Sequence, residues 1–175
     1  AYRRQRQMCI RDRELLPAFQ LSVPDLEKKG DYIAPCDVTF SHYIGDRITC
    51  RSKGKTAPAY IRIRAYGLNN TDKAICNFVD KEGRGYGAAF NLKAEASDIL
   101  IPVSDLVPTK AAMLPQDWPG VNPYWYPASA QENNGIALDW KIIEFVQVSL
   151  REELYNIGNQ KNKGVVVERI DLLFQ

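Results

Sequence analysis

The sequence predicts an all-β domain, a β-sandwich or jelly roll. Three observations carry the prediction: about eight short β-branched or aromatic runs, Gly, Asn and Pro turns between them, and no helical periodicity sustained over three turns. The chain has 175 residues, 45% of them apolar and 25% charged. That is a globular balance, and a domain of this size buries roughly two thirds of its unfolded surface, enough for a real core. No stretch approaches the ~18 apolar residues of a membrane helix, and membrane partners are not expected.

The elements follow in order. Residues 14–36, "ELLPAFQLSVPDLEKKGDYIAPC", hold three prolines and a charged run, and read as a linker or lead-in with one strand at most. Regular alternation begins at "VTFSHYI" (38–44) and "DRITCRS" (46–52), either side of Gly45. "AYIRIRAYG" (59–67) alternates cleanly and leads into the turn "LNNTD"; "KAICNFVD" (73–80), the Gly-rich "KEGRGYG" and "AAFNLK" (88–93) read as a hairpin. "SDILIPVSDL" (97–106) is a strand that Pro102 confines to a sheet edge or to its own end. "KIIEFVQVSL" (141–150) and "GVVVERIDLLF" (164–174) supply the last two runs, so the sandwich is expected over 37–175.

Period-two alternation assigns faces. Ile61, Ile63 and Ala65 share one face of their strand, and Tyr60, Arg62, Arg64 and Tyr66 the other. The second face is aromatic and cationic, which suits either a ligand platform or an exposed sheet whose Arg stems cover the rings. In the last strand, if Ile170 and Leu172 point inward, unbroken alternation sends Val166 and Glu168 inward too. A buried carboxylate needs an Arg, a hydrogen-bond network or a metal; a structural calcium at Glu168 is one expectation, and an arginine partner or a slipped face assignment is favoured over it.

The opening "YRRQRQMCIRDR" is unlike the rest. Residues 1–13 hold five of the 23 basic residues and one of the 21 acidic ones, which leaves 18 against 20 and a charge near −2 in residues 14–175. The folded part therefore lacks a footprint for nucleic acid. The stretch has no apolar core for a signal peptide and no Gly or Ser spacing for a binding arm. Reverse-translated, Arg3 to Asp12 can be written as the adapter and transposon-end sequence of a common sequencing-library method. We read residues 2–13 as translated adapter and set Ala1 aside with them. On that reading the natural N-terminus is missing, and the domain is the last piece of a larger protein.

The strongest candidate site is "MLPQDWPGVNPYWYP" (113–127), with Trp118, Tyr124, Trp125 and Tyr126 among four prolines. Proline fixes φ and lowers loop entropy, so rings can be held rigidly without regular hydrogen bonding. Rigid rings beside polar groups suit the apolar faces and polar edges of sugars. A long loop crossing a sandwich also buries rings simply to stay attached, but successive residues of an extended Tyr124-Trp125-Tyr126 point opposite ways, so one or two rings are expected outside. Arg64 and Tyr66 are candidates for extending the platform.

Catalysis finds little footing. His42 is the single histidine, so a catalytic triad would have to run through it and a histidine zinc cluster is excluded. Asp98, Asp105, Asp117, Glu132, Asp139 and Glu144 show no spacing that singles out a glycosidase pair. "GRGYG" lacks the lysine and helix of a phosphate loop. With Cys9 set aside, Cys36, Cys50 and Cys76 allow one disulfide at most; Cys36 with Cys50 is the candidate, and Cys76 reads as a buried free thiol.

"ILIPVSDLVP", then "IIEFVQVSL" and a terminal "VVVERIDLLF", resembles the closing pattern of galactose-binding-like jelly rolls, the fold of many carbohydrate-binding modules. The wider run "HYIGDRI…IRIRAYG…DKEGRGYGA…LPQDWPGVNPYWYP" is similar to C-terminal accessory domains of large secreted polysaccharide-processing proteins of Bacteroidota-type bacteria. The resemblance covers roughly residues 37–175. It implies a secreted, periplasmic or cell-surface domain that binds polysaccharide without catalysis and is joined to a parent catalytic domain, or one that packs on that parent without binding sugar.

Overall fold

The computed structural model describes residues 16, 18–23, 38–45, 57–112, 125–126, 136–155 and 162–174. The strands are β1 (Phe19–Ser22), β2 (Val38–Tyr43), β3 (Tyr60–Leu68), β4 (Lys73–Asp80), β5 (Gly85–Asn91), β6 (Ser97–Pro102), β7 (Val107–Thr109), β8 (Ala111–Ala112), β9 (Trp125–Tyr126), β10 (Ile143–Leu150) and β11 (Gly164–Leu173). A back sheet has the order β1-β11-β3-β6, a front sheet β2-β10-β4-β5-β7, and β8 pairs with β9 as a separate ribbon. All pairings are antiparallel. The all-β sandwich is as expected, with the lead-in stretch supplying β1 to the back sheet. "DRITCRS" and the Cys36 and Cys50 pair lie outside the described residues.

The core is where the two sheets face each other. Ile61, Ile63 and Ala65 of β3 and Val165, Val167 and Ile170 of β11 meet Cys76 and Phe78 of β4 and Val146, Val148 and Leu150 of β10, all essentially solvent-free. Burying side chains of this size stabilises by about 1.5–3 kcal/mol each. Trp140, in a short 3-10 turn ahead of β10, lies edge-on to Phe78 at 4.9 Å and closes one end. Pro102 ends β6 at the open edge of the back sheet, where its missing N–H breaks no ladder.

Turn chemistry moves the chain between sheets. Asn69 and Asn70 both take positive φ, which Asn tolerates better than most residues, and carry the chain from β3 to β4. Thr71 fixes that turn: its backbone N–H donates to Leu68 O at 3.0 Å, and its hydroxyl accepts from Gly164 N–H at 2.8 Å. In the β4–β5 hairpin, Asp80 accepts the backbone N–H groups of Glu82 and Arg84 at 2.9 Å each and the Arg84 guanidinium at 2.7 Å.

Glu168 departs from the expected face. The β11–β3 register shifts between Val167 and Arg169, so Glu168 is an extra residue on β11. A β-bulge of this kind resets the alternation. Val165 and Val167 point inward before it, Ile170 and Leu172 after it, and Glu168 is exposed. Its carboxylate accepts Arg64 Nε at 2.9 Å. The inward face expected of Glu168 is therefore corrected, and the burial that gave a calcium its reason is not there.

Candidate functional site

The front sheet turns three rows of side chains away from the core. One runs Tyr43, Phe145, Val79, Gly85 and Thr109; the next Ser41, Gln147, Asn77, Gly87 and Val107; the third Thr39, Ser149, Ile75 and Ala89. The middle row is polar where a sheet surface with nothing over it would be wet. Yet Gln147 and Asn77 are buried, as is Ser149 in the third row. The chain itself covers them.

The covering begins where β7 leaves the sheet edge and crosses towards β10. Lys110 O accepts from Asn77 Nδ2 at 3.1 Å and from Arg151 Nη2 at 2.7 Å. Arg151 is 1% exposed and also donates to Thr109 Oγ1 at 2.7 Å. Two residues on, Ala112 N–H donates to Gln147 Oε1 at 3.0 Å, while Gln147 Nε2 donates to Ala112 O and, at 3.2 Å, to Ser41 Oγ. Gln147 thus offers Ala112 one acceptor and one donor, as a neighbouring strand would. These bonds hold β8 flat on the sheet, and β8 pairs with β9 through Ala111 with Tyr126 and Ala112 with Trp125.

Trp125 and Tyr126 are accordingly placed, through their backbone, over the outer side of the front sheet. Trp118 and Tyr124 lie outside the described residues. Arg64 and Tyr66 are elsewhere: they face outward from the back sheet, on the opposite side of the sandwich. They cannot extend a platform at β9, which corrects that expectation. Period-two alternation placed them correctly on their strand, but it says nothing of which sheet the strand joins. Arg64 is instead paired with Glu168 and with Asp98 at 3.4 Å, and Arg62 with Asp171 at 2.8 Å, so this face is a lattice of ion pairs. The same carboxylates raise the Arg64 pKa, chiefly through the Glu168 hydrogen bond.

The front face carries one strongly exposed ring among its described residues. Tyr43 is 49% exposed and meets Phe145 edge-on, with centroids 5.5 Å apart. His42, on the other side of β2, lies parallel to Phe40 with centroids at 6.3 Å. Among the described residues no three His, Cys, Asp or Glu converge on a metal-sized site. Cys76 is a buried free thiol whose pKa is pushed up to about 12 by burial. No helix among the described residues is long and apolar enough to cross a membrane.

Gln147, Asn77 and Arg151 escaped sequence reading. A usable signal was present: Asn77 and Gln147 interrupt apolar runs at positions that pair across β4 and β10. Two amides facing one another on a buried row imply a polar segment above them.

No protein-family model and no curated protein sequence matches the chain. Among solved structures, a family 30 carbohydrate-binding module is similar at 12% identity and a TM-score of 0.48, over 91% of this chain and 69% of its own. A family 11 carbohydrate-binding module from Clostridium thermocellum, solved with a β-1,3-1,4-mixed-linked tetrasaccharide, is similar at 12% identity and a TM-score of 0.44, over 91% of this chain and 97% of its own. An agarase, AgWH50C, is similar at 12% identity and a TM-score of 0.44 over 79% of this chain, which spans 20% of the agarase chain. At this level of similarity the function rests on the residues themselves.

Proposed function

We propose that this chain is a non-catalytic carbohydrate-binding module that holds polysaccharide on the outer side of the front sheet, through the aromatic segment containing Trp118, Tyr124, Trp125 and Tyr126. The observation that carries the reading is the two-ended bond between the Gln147 amide and Ala112, reinforced by Asn77 and Arg151 on Lys110 O. Buried polar groups are committed to holding β8, the strand that pairs with Trp125 and Tyr126. Binding gains most from groups already held in place, because their ordering entropy is spent on folding. Pyranose rings offer an apolar face to an aromatic ring and hydroxyls to neighbouring amides and carbonyls. Such a module fits a secreted polysaccharide-degrading parent, which it keeps on its substrate.

Native gel electrophoresis through plant, algal and host glycans tests this. Retardation by at least one neutral or acidic polysaccharide is expected, with retardation lost in Trp125→Ala and Trp118→Ala. A folded protein that no glycan retards overturns the reading.

A second reading, a structural domain packing on its parent without sugar, has one observation in its favour. Leu100 and Val107 are each 57% exposed and flank an open cleft between β5 and β6, lined also by Ala89, Phe90, Ile99 and Ile101. Exposed apolar surface beside open sheet edges is what an interdomain contact covers.

A further inference from the structure

We propose that Tyr43 is a second sugar-stacking ring on this face, taking the apolar side of a pyranose residue next to the one held at β9. The inference rests on the polysaccharide-binding reading above and adds a subsite on a different strand.

Tyr43 is half exposed and packed on one side. Phe145 abuts it at an interplanar angle of 76°. Gly45 lies so close beneath that a Cβ there would stand 2.6 Å from the Tyr43 hydroxyl oxygen and 2.9 Å from Cζ. Gly45 does not have a positive φ, and its missing side chain leaves the space the ring tip occupies, so a methyl there would push the ring aside. Packing on Phe145 narrows the rotamers open to the ring, so less ordering entropy remains to be lost when a ligand stacks on it.

The neighbours complete the chemistry. Ser41, exposed and two residues away on the same side of β2, accepts from Gln147 Nε2, which leaves its own O–H to donate to another group. The Tyr43–Phe145 row lies about 7 Å along β10 from the Gln147 row, whose Gln147 amide holds Ala112, the pairing partner of Trp125. A glycan in contact with both would cross the strands, meeting β9 first and Tyr43 next.

The experiment is calorimetric titration of the full chain with the polysaccharide that retards it and with oligosaccharides of increasing length. Tyr43→Ala is expected to bind the polymer and the longest oligosaccharides about tenfold more weakly, to bind the shortest oligosaccharide as the parent protein does, and to keep its melting temperature. Tyr43→Phe is expected to retain binding. Gly45→Ala, which displaces the ring without removing it, is expected to follow Tyr43→Ala with native circular dichroism. Unchanged polymer affinity in Tyr43→Ala, alongside lost affinity in Trp125→Ala, overturns this inference and leaves the binding reading standing. No heat and no retardation with the unsubstituted protein overturns both.

Discussion

The side-chain amide of Gln147 is bonded at both its ends to the backbone of Ala112, and so a glutamine of β10 does for the short β8 what a strand neighbour would do. Its own exposure is 1%. Gln147→Leu removes both partners and leaves a buried N–H and C=O without a mate, which costs about 1–3 kcal/mol. The amide of Ala112 is expected to exchange hydrogen much faster in this variant, while those of Ile61 and Ile63 in the back sheet slow or quicken only with the global stability. Equal acceleration everywhere would show that Gln147 supports the whole sandwich rather than this crossing.

Glu168 and Asp171 are both paired carboxylates on β11 but differ in burial, with side-chain exposures of 42% and 8%. Exposed ion pairs contribute little, so Glu168→Gln is expected to leave the melting temperature unchanged. Asp171 takes both Arg62 and Arg169, and Asp171→Asn is expected to cost about 1–3 kcal/mol in denaturant unfolding. Deleting Glu168 is a sharper test of the bulge. Without the extra residue regular alternation still keeps Val167, Ile170 and Leu172 on one face, so the deletion variant is expected to fold with the β3–β11 pairing intact; failure to fold would show that the bulge itself is required.

Gly67 lies where β3 passes the turn into β4, and a Cβ there would come within 1.8 Å of the Thr71 carbonyl oxygen. Backbone cannot yield as a side chain would. Gly67→Ala is expected to destabilise by about 3 kcal/mol or more, measured by urea unfolding, and a loss below about 1 kcal/mol would contradict the packing at this turn.

Cys76 sets a pH limit. Its thiol pKa is pushed from 9.0 up to about 12 by burial, partly offset by a hydrogen bond from the Asn77 backbone. Below pH 9 the thiol is protonated in both folded and unfolded chains and contributes fully. Above it the unfolded chain ionises first, so stability is expected to fall as pH rises from about 9 towards 12. In a background with the other cysteines replaced by serine, native protein at neutral pH is expected to resist thiol reagents, and Cys76→Ala to lose that part of the alkaline decline.

Much of the sandwich was legible because strands have a fixed period. Ile61, Ile63 and Ala65 could be placed inside by counting alone, and Pro102 could be placed at an edge because a missing N–H has few other homes. Glu168 was misplaced by the same counting, since a single bulged residue shifts phase without any mark in composition. Arg64 and Tyr66 were given the right face of β3 and the wrong neighbours, because sheet membership depends on pairings made far away in sequence. The aromatic run around Trp125 stood out by composition; what holds β8 beside it, Gln147 with Asn77 and Arg151, did not, since isolated polar residues in strands become visible as a group only once β4 and β10 are side by side.

On the function proposed above, polysaccharide meets the outer side of the front sheet, at β8, β9 and the end of β2. Amide chemical-shift mapping during titration with an oligosaccharide of the retarding polysaccharide tests it most directly. The largest shifts are predicted at Ala111, Ala112, Trp125, Tyr126 and Ser41 to Tyr43, with Arg62, Arg64 and Tyr66 of the back sheet unmoved. Shifts centred on β3 and β11, or saturating glycan with no shifts at all, would contradict it.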